Sequence, residues 1–120
     1  MDLDWRRFLI AVDPGNRFCG CGQIKLHSDG SRELASIAVP EQFRGRGVAR
    51  AIIEALLVRE STRPLYLMCR GQLIPLYVRF GFKEAGGEDL PRYFQRIKRI
   101  ERLFNKSADP ADRLAIMRLD

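Results

Sequence analysis

At 120 residues, with 46% hydrophobic and 30% charged residues, the chain has the size and composition of one compact soluble domain, residues 1–120. No apolar run approaches the roughly 20 residues that span a bilayer, and the N-terminus lacks the basic-then-apolar layout of a leader, which together point to the cytoplasm and away from the membrane. The net charge of +6 leaves nucleic acid, acidic lipid, an anionic cofactor or plain solubility as its outlet, while three cysteines and one histidine are poor material for a metal site and read as free buried thiols.

The first third reads as a three-stranded antiparallel meander. An apolar run, Arg7 to Val12, leads into the turn formers Asp13-Pro14-Gly15-Asn16. Phe18 to Leu26 follows, with Gly20 and Gly22 marking a bulge or a close backbone approach. His27-Ser28-Asp29-Gly30-Ser31 carries the Asp-Gly hairpin signal, and Glu33 to Val39 is the third strand, stopped by Pro40.

The period then changes. From Arg46 to Arg59 apolar residues fall at 48, 52, 53, 56 and 57, one face of a helix. Leu65 to Cys69 reads as a strand. Gln72 to Phe80 reads as a helix with Pro75 in its first turn and Gly81 at its end. Phe82 to Ala85 is a short strand. A helix from Leu90 to Phe104 is predicted with Asp89 as N-cap, Pro91 near its start, and Tyr93, Ile97, Ile100 and Phe104 on the buried face. A loop from Asn105 to Asp112 and a strand from Leu114 to Leu119 complete the order β-β-β-α-β-α-β-α-β. The predicted class is α/β (α+β in some schemes). It is a mixed sheet, an antiparallel meander followed by a right-handed β-α-β crossover, with helices on its faces.

One stretch carries a chemical signal. Gln42-Phe43-Arg44-Gly45-Arg46-Gly47-Val48-Ala49 follows a strand and opens a helix. Unpaired amides and the dipole at a helix N-terminus attract an anion, Gly45 and Gly47 clear the approach, and Arg44, Arg46 and Arg50 add positive charge. A glycine-rich surface turn kept soluble by arginines fits the same residues. The Walker loop, the dinucleotide Gly-x-Gly-x-x-Gly and the hydrolase Gly-x-Ser-x-Gly patterns are all missing.

Gln42-x-x-Gly45-x-Gly47 resembles the pyrophosphate loop of the GNAT acetyltransferases, which reads Gln/Arg-x-x-Gly-x-Gly/Ala between a strand and a helix. Glu33-Leu34-Ala35-Ser36-Ile37-Ala38-Val39 resembles the strand before that loop, and Tyr77-Val78-Arg79-Phe80-Gly81-Phe82 is similar to the family's Tyr-x-x-x-Gly-Phe. The likeness runs from about residue 6 to residue 120.

The resemblance implies roles. Ile37, Ala38 and Val39 would bond the pantetheine arm of acetyl-CoA through main-chain groups, and Gly45, Arg46, Gly47, Val48, Ala49 and Arg50 would hold the pyrophosphate with Arg44 beside them. Tyr77 would protonate the departing thiolate, although a core aromatic on an amphipathic helix reads the same way without the Gly-Phe that comes after it. Glu33 aligns with a base found in some members, and equally reads as a water-exposed glutamate at a strand start. His27, Glu84, Glu88 or an ordered water are the other bases. The reaction implied is direct attack by an amine on acetyl-CoA in a ternary complex, with no metal.

Two departures qualify this. Arg70 stands where many members carry a cofactor-touching asparagine, so it would contact phosphate or pantetheine, or cap the strand. The strand and helices that usually precede the meander and shape the acceptor site have no counterpart in this sequence. That makes an acyl-CoA-binding module the alternative reading, and a homodimer that supplies the missing wall an option. A third reading is a basic interaction domain that contacts nucleic acid, anionic lipid or a partner protein through the Leu90–Phe104 helix; a core-packing helix with a solvated basic face is favoured over it, so neither nucleic acid nor a membrane is expected as partner.

Overall fold

The computed structural model describes residues 5–104 and 109–120. Six strands join in one sheet, in the hydrogen-bonded order β1-β2-β3-β4-β6-β5, where β1 is Phe8–Val12, β2 Phe18–Leu26, β3 Arg32–Ala38, β4 Leu65–Arg70, β5 Lys83–Ala85 and β6 Leu114–Leu119. The helices are α1 (Val48–Arg59), α2 (Ile74–Val78) and α3 (Arg92–Phe104). The order of elements is the one read from sequence. No helix among the described residues is long and apolar enough to cross a membrane. The chain divides into two compact units, one formed by Met1–Lys25 with Leu34–Thr62 and the other by Leu26–Glu33 with Arg63–Asp120.

In the first unit β1 pairs antiparallel with β2, with Leu9 opposite Gly22 and Ala11 opposite Gly20. The register then slips, so that Val12 lies opposite Phe18. The bulge therefore falls beside Cys19, not at a glycine. Gly20 and Gly22 serve close approach instead. A Cβ on Gly22 would lie 2.6 Å from Ile37 Cδ1 and 2.8 Å from Ile52 Cγ2, and one on Gly20 2.9 Å from the Ala38 carbonyl oxygen. The sheet thus admits α1, which buries Ile52, Ile53 and Leu56 as its spacing predicts. Asn16, in the left-handed region, and Asp13, whose carboxylate takes the Arg17 amide at 2.8 Å and its Nε at 2.7 Å, close the first turn.

The second unit is built on β6. It pairs antiparallel with β4 over Leu65↔Leu119 to Arg70↔Leu114 and with β5 over Lys83↔Arg118 to Ala85↔Ile116. Flanked on both sides, Ala115, Ile116 and Met117 are fully buried. The predicted helix Gln72–Phe80 is shorter than expected. A 3-10 turn, Gly71–Leu73, leads into five α-helical residues with Pro75 near their start, since proline has no amide to extend a ladder. Gly81, at φ 96°, lets the chain reverse into β5, and Phe82 is buried behind it.

Two expectations for α3 are corrected. Its first helical bond runs from the Gln95 amide to the Pro91 carbonyl, so Asp89 lies in a preceding 3-10 turn and is not the cap. The carboxylate that takes an N-terminal amide is Asp29, 64 residues away, which accepts from the Tyr93 N–H at 2.9 Å. The buried face is also rotated. Phe94 is fully buried and packs with Tyr66, Leu90 and Ile116, whereas Tyr93 and Ile97 are half-buried and Ile100 is 48% exposed. Lys98 lies on the inward side, where its Nζ donates to the Leu114 carbonyl at 2.9 Å. The expected loop from Asn105 lies outside the described residues as far as residue 108, and a turn occupies 110–112.

Candidate active site

After β3, Pro40 and a 3-10 turn at Glu41–Phe43 bring the chain to Gly45 and Gly47, at φ 79° and 80°. Side chains are disfavoured in that left-handed region, and nothing lies within 4 Å of where a Cβ would stand on either residue, so both glycines leave open space. Gly47 is the N-cap of α1. It offers no side-chain cap, the first turn holds no acidic residue, and the first helical bond is Ala51 N–H to Gly47 O at 3.0 Å. The amides of Val48, Ala49 and Arg50 therefore have no helical acceptor, the arrangement that suits an anion.

The surroundings of this loop fix its arginines in part. Phe43 is buried, and the guanidinium groups of Arg17 and Arg46 lie 5.6 and 5.7 Å from its ring centroid. Arg44 Nε donates to the Val39 carbonyl at 3.1 Å, which ties the loop back to the end of the strand. Arg50 is exposed and pairs with Glu54 at 3.0 Å. Within β3, Ser36 adopts φ 59°, a rare value for a non-glycine residue. Its Oγ accepts from Gln23 Nε2 at 2.6 Å. Ser36 directly precedes Ile37, Ala38 and Val39. The first unit thus brings together the three strand residues and all seven loop residues that the sequence singled out.

The second unit holds Glu33, Arg70 and Tyr77. Tyr77 is buried, 8% exposed, with its ring 6.1 Å from Phe82 and nearly perpendicular to it. Burial, then the neighbouring Cys69, raises the phenol pKa above its ordinary 10, so the hydroxyl keeps its proton through the neutral range. Burial, then Glu84, likewise raises the Cys69 thiol. Cys19 and Cys69 are buried free thiols as expected, and Cys21 is half-buried. Arg70 is exposed at the end of β4, 3.9 Å from Asp112, and Glu84 is held by Arg113 at 2.6 Å. Among the described residues no group of three or more His, Cys, Asp or Glu side chains is placed to hold a metal ion.

Glu33 is not exposed to water. It retains only 3% of its accessible surface and lies 2.7 Å from His27 Nε2. The imidazole stacks on Tyr93, ring centroids 3.6 Å apart and 15° from parallel, and meets the edge of Phe94 at 5.8 Å. Burial, then the charge of Glu33, raises the Tyr93 phenol. The sequence named both residues as separate candidates and missed their pairing. The signal was the hairpin: the His27–Ser31 turn, closed by His27 N–H to Ser31 O at 2.9 Å, sets its two flanks side by side.

Known proteins agree with this picture. Residues 4–84, more than half of the chain, match the model for the acetyltransferase (GNAT) domain. An uncharacterized N-acetyltransferase of Chlorobaculum tepidum is 29% identical over 94 residues, covering 76% of this chain, which spans 59% of the length of that relative. A Mycobacterium tuberculosis protein solved in complex with CoA superposes with a TM-score of 0.66 at 22% identity, over 94% of this chain and 75% of its own. N-acetylglutamate synthase of Neisseria gonorrhoeae, complexed with coenzyme A and N-acetyl-glutamate, gives 0.70 at 18% identity, over 95% of this chain and 26% of its own. These two likenesses show the fold, and the match of the family model to most of the chain shows the membership: this chain belongs to the GNAT acetyltransferase family.

Proposed function

We propose that residues 1–120 act as one acetyl-CoA-dependent N-acetyltransferase domain, which moves the acetyl group to an amine by direct attack. The observation that carries this reading is the uncapped start of α1 behind two left-handed glycines, in a loop that spells Gln42-x-x-Gly45-x-Gly47. The CoA-bound M. tuberculosis and N. gonorrhoeae structures of the same fold support it.

In this reading the Gly45–Arg50 amides and Arg46 hold the pyrophosphate, and main-chain groups of Ile37, Ala38 and Val39 take the pantetheine arm. Arg44 has a second task, since its bond to the Val39 carbonyl steadies the strand end that the arm would meet. Arg70, exposed and 3.9 Å from Asp112, is the remaining residue assigned to a phosphate or to pantetheine. Tyr77 protonates the leaving thiolate, a task for which its raised pKa keeps the proton in place. The base belongs to the buried pair of Glu33 and His27, whose side chains lie 2.7 Å apart.

The raised Cys69 thiol argues against an acyl-cysteine route, because the thiolate is the nucleophile and burial suppresses it. The free thiols fit a reducing cytoplasm, where acetyl-CoA is available. The test is release of free CoA thiol from acetyl-CoA across a panel of small amines, polyamines, peptide N-termini and lysine peptides. Transfer to at least one class is expected. Binding of acetyl-CoA without transfer to any of them would reduce the domain to an acyl-CoA binder.

A further inference from the structure

We propose that His27, with Glu33 as its positioning residue, is the base that takes the proton of the acceptor amine. This rests on the acetyl-transfer reading above. The two side chains are 11% and 5% exposed and lie 2.7 Å apart. An ionised carboxylate can only accept a hydrogen bond, so Nε2 carries the ring proton and Nδ1 keeps its lone pair. Tyr93 on one face, 3.6 Å away, and the edge of Phe94 at 5.8 Å leave the ring little freedom to turn over.

The charged and titratable groups around the ring are Glu33 on β3, Asp29 in the same turn, whose carboxylate His27 helps to stabilise, and Tyr93 on α3. Glu33 Oε1 is committed to the imidazole and is the more buried partner, so its role is to fix the tautomer and support the imidazolium, the part a carboxylate plays toward histidine in hydrolytic triads.

Protons and bonds balance across the transfer. The acceptor ammonium gives one proton to Nδ1, and the freed nitrogen lone pair forms the C–N bond at the thioester carbonyl. The C–S bond breaks, the thiolate takes the proton of Tyr77, and the second proton leaving nitrogen restores the phenol. The imidazolium releases its proton to water.

His27 is the only histidine in the chain, so its ring can be read without assignment. In 15N NMR of the wild type near neutral pH, the neutral ring is expected as the Nε2–H tautomer. In the transfer assay, His27→Gln and His27→Asn are expected to lower kcat/KM by about 10²-fold or more and to remove the acid limb of its pH profile, while Glu33→Gln keeps that limb with a smaller loss, about 10-fold. Thermal stabilisation by acetyl-CoA shows that each variant is folded. An Nδ1–H ring, activity within a few-fold of wild type in a folded His27→Gln, or loss of the acid limb only in Glu33→Gln would each overturn the proposal and leave acetyl transfer standing. A wild type that transfers to no amine overturns the parent reading and this one together.

Discussion

Tyr77 and Gly47 show how much a single position can carry. The phenol of Tyr77 is raised by burial and by Cys69, so its ionisation belongs above pH 10 and should cause no loss of activity in the neutral range. Tyr77→Phe should lower kcat about 10²-fold or more while the affinity for acetyl-CoA holds, measured by steady-state kinetics beside calorimetric binding. Unchanged turnover would remove Tyr77 as the acid. Gly47 stands at φ 80° with empty space where a Cβ would go, so Gly47→Ala meets no clash and costs only the left-handed strain, about 1 kcal/mol. A shift of roughly 4 °C in Tm is the expected readout. These residues were legible because their motifs are local in the chain. The Glu33–His27 pair was not, because its meaning lies in burial: a glutamate at a strand start looks solvated until the hairpin folds over it.

At the scale of elements, α3 separates what periodicity shows from what packing decides. Its sequence offers two apolar stripes, one through Tyr93, Ile97 and Ile100 and another through Leu90, Phe94 and Ile97. The second is buried because Tyr66 and Ile116 receive Phe94, and because Lys98 can send its amine to a carbonyl while its stem lies inward, so a polar letter sits on the inner face. Phe94→Ala should therefore cost about 3–5 kcal/mol in chemical denaturation and Ile100→Ala less than about 0.5. The reverse order would restore the face read from sequence. By contrast α1 had a single stripe, and its buried residues were read correctly.

The cap of α3 comes from the Asp29 turn, and no local motif announces it. Asp29→Ala should cost on the order of 1 kcal/mol. Burial alone would raise the Asp29 pKa, but the bonds from Ser31 and Tyr93 outweigh it and the net shift is downward from 3.8. A carboxylate depressed in the folded state contributes stability above its unfolded pKa and loses it as pH falls through the folded one. The wild type should thus lose more stability than Asp29→Asn as pH drops below about 4.

For the whole molecule, the element order and the mixed sheet were readable from turns and periods, since each strand and helix is short and ends on glycine, proline or a hairpin signal. What could not be read was contact, as at the two glycines of β2 that admit α1. Gly22→Val, which would press on Ile37, Ile52 and Leu56, should cost about 1–3 kcal/mol by overpacking. The most direct measurement is thermal unfolding with and without acetyl-CoA, for the wild type and for Gly47→Val. At a concentration about 100 times its Kd, the cofactor should stabilise the wild type by about 2.7 kcal/mol, a rise on the order of 10 °C, and the loop variant far less. A wild type whose Tm does not move at saturating acetyl-CoA, or a variant that gains as much as the wild type, would contradict the assignment of the Gln42–Arg50 loop to the CoA pyrophosphate.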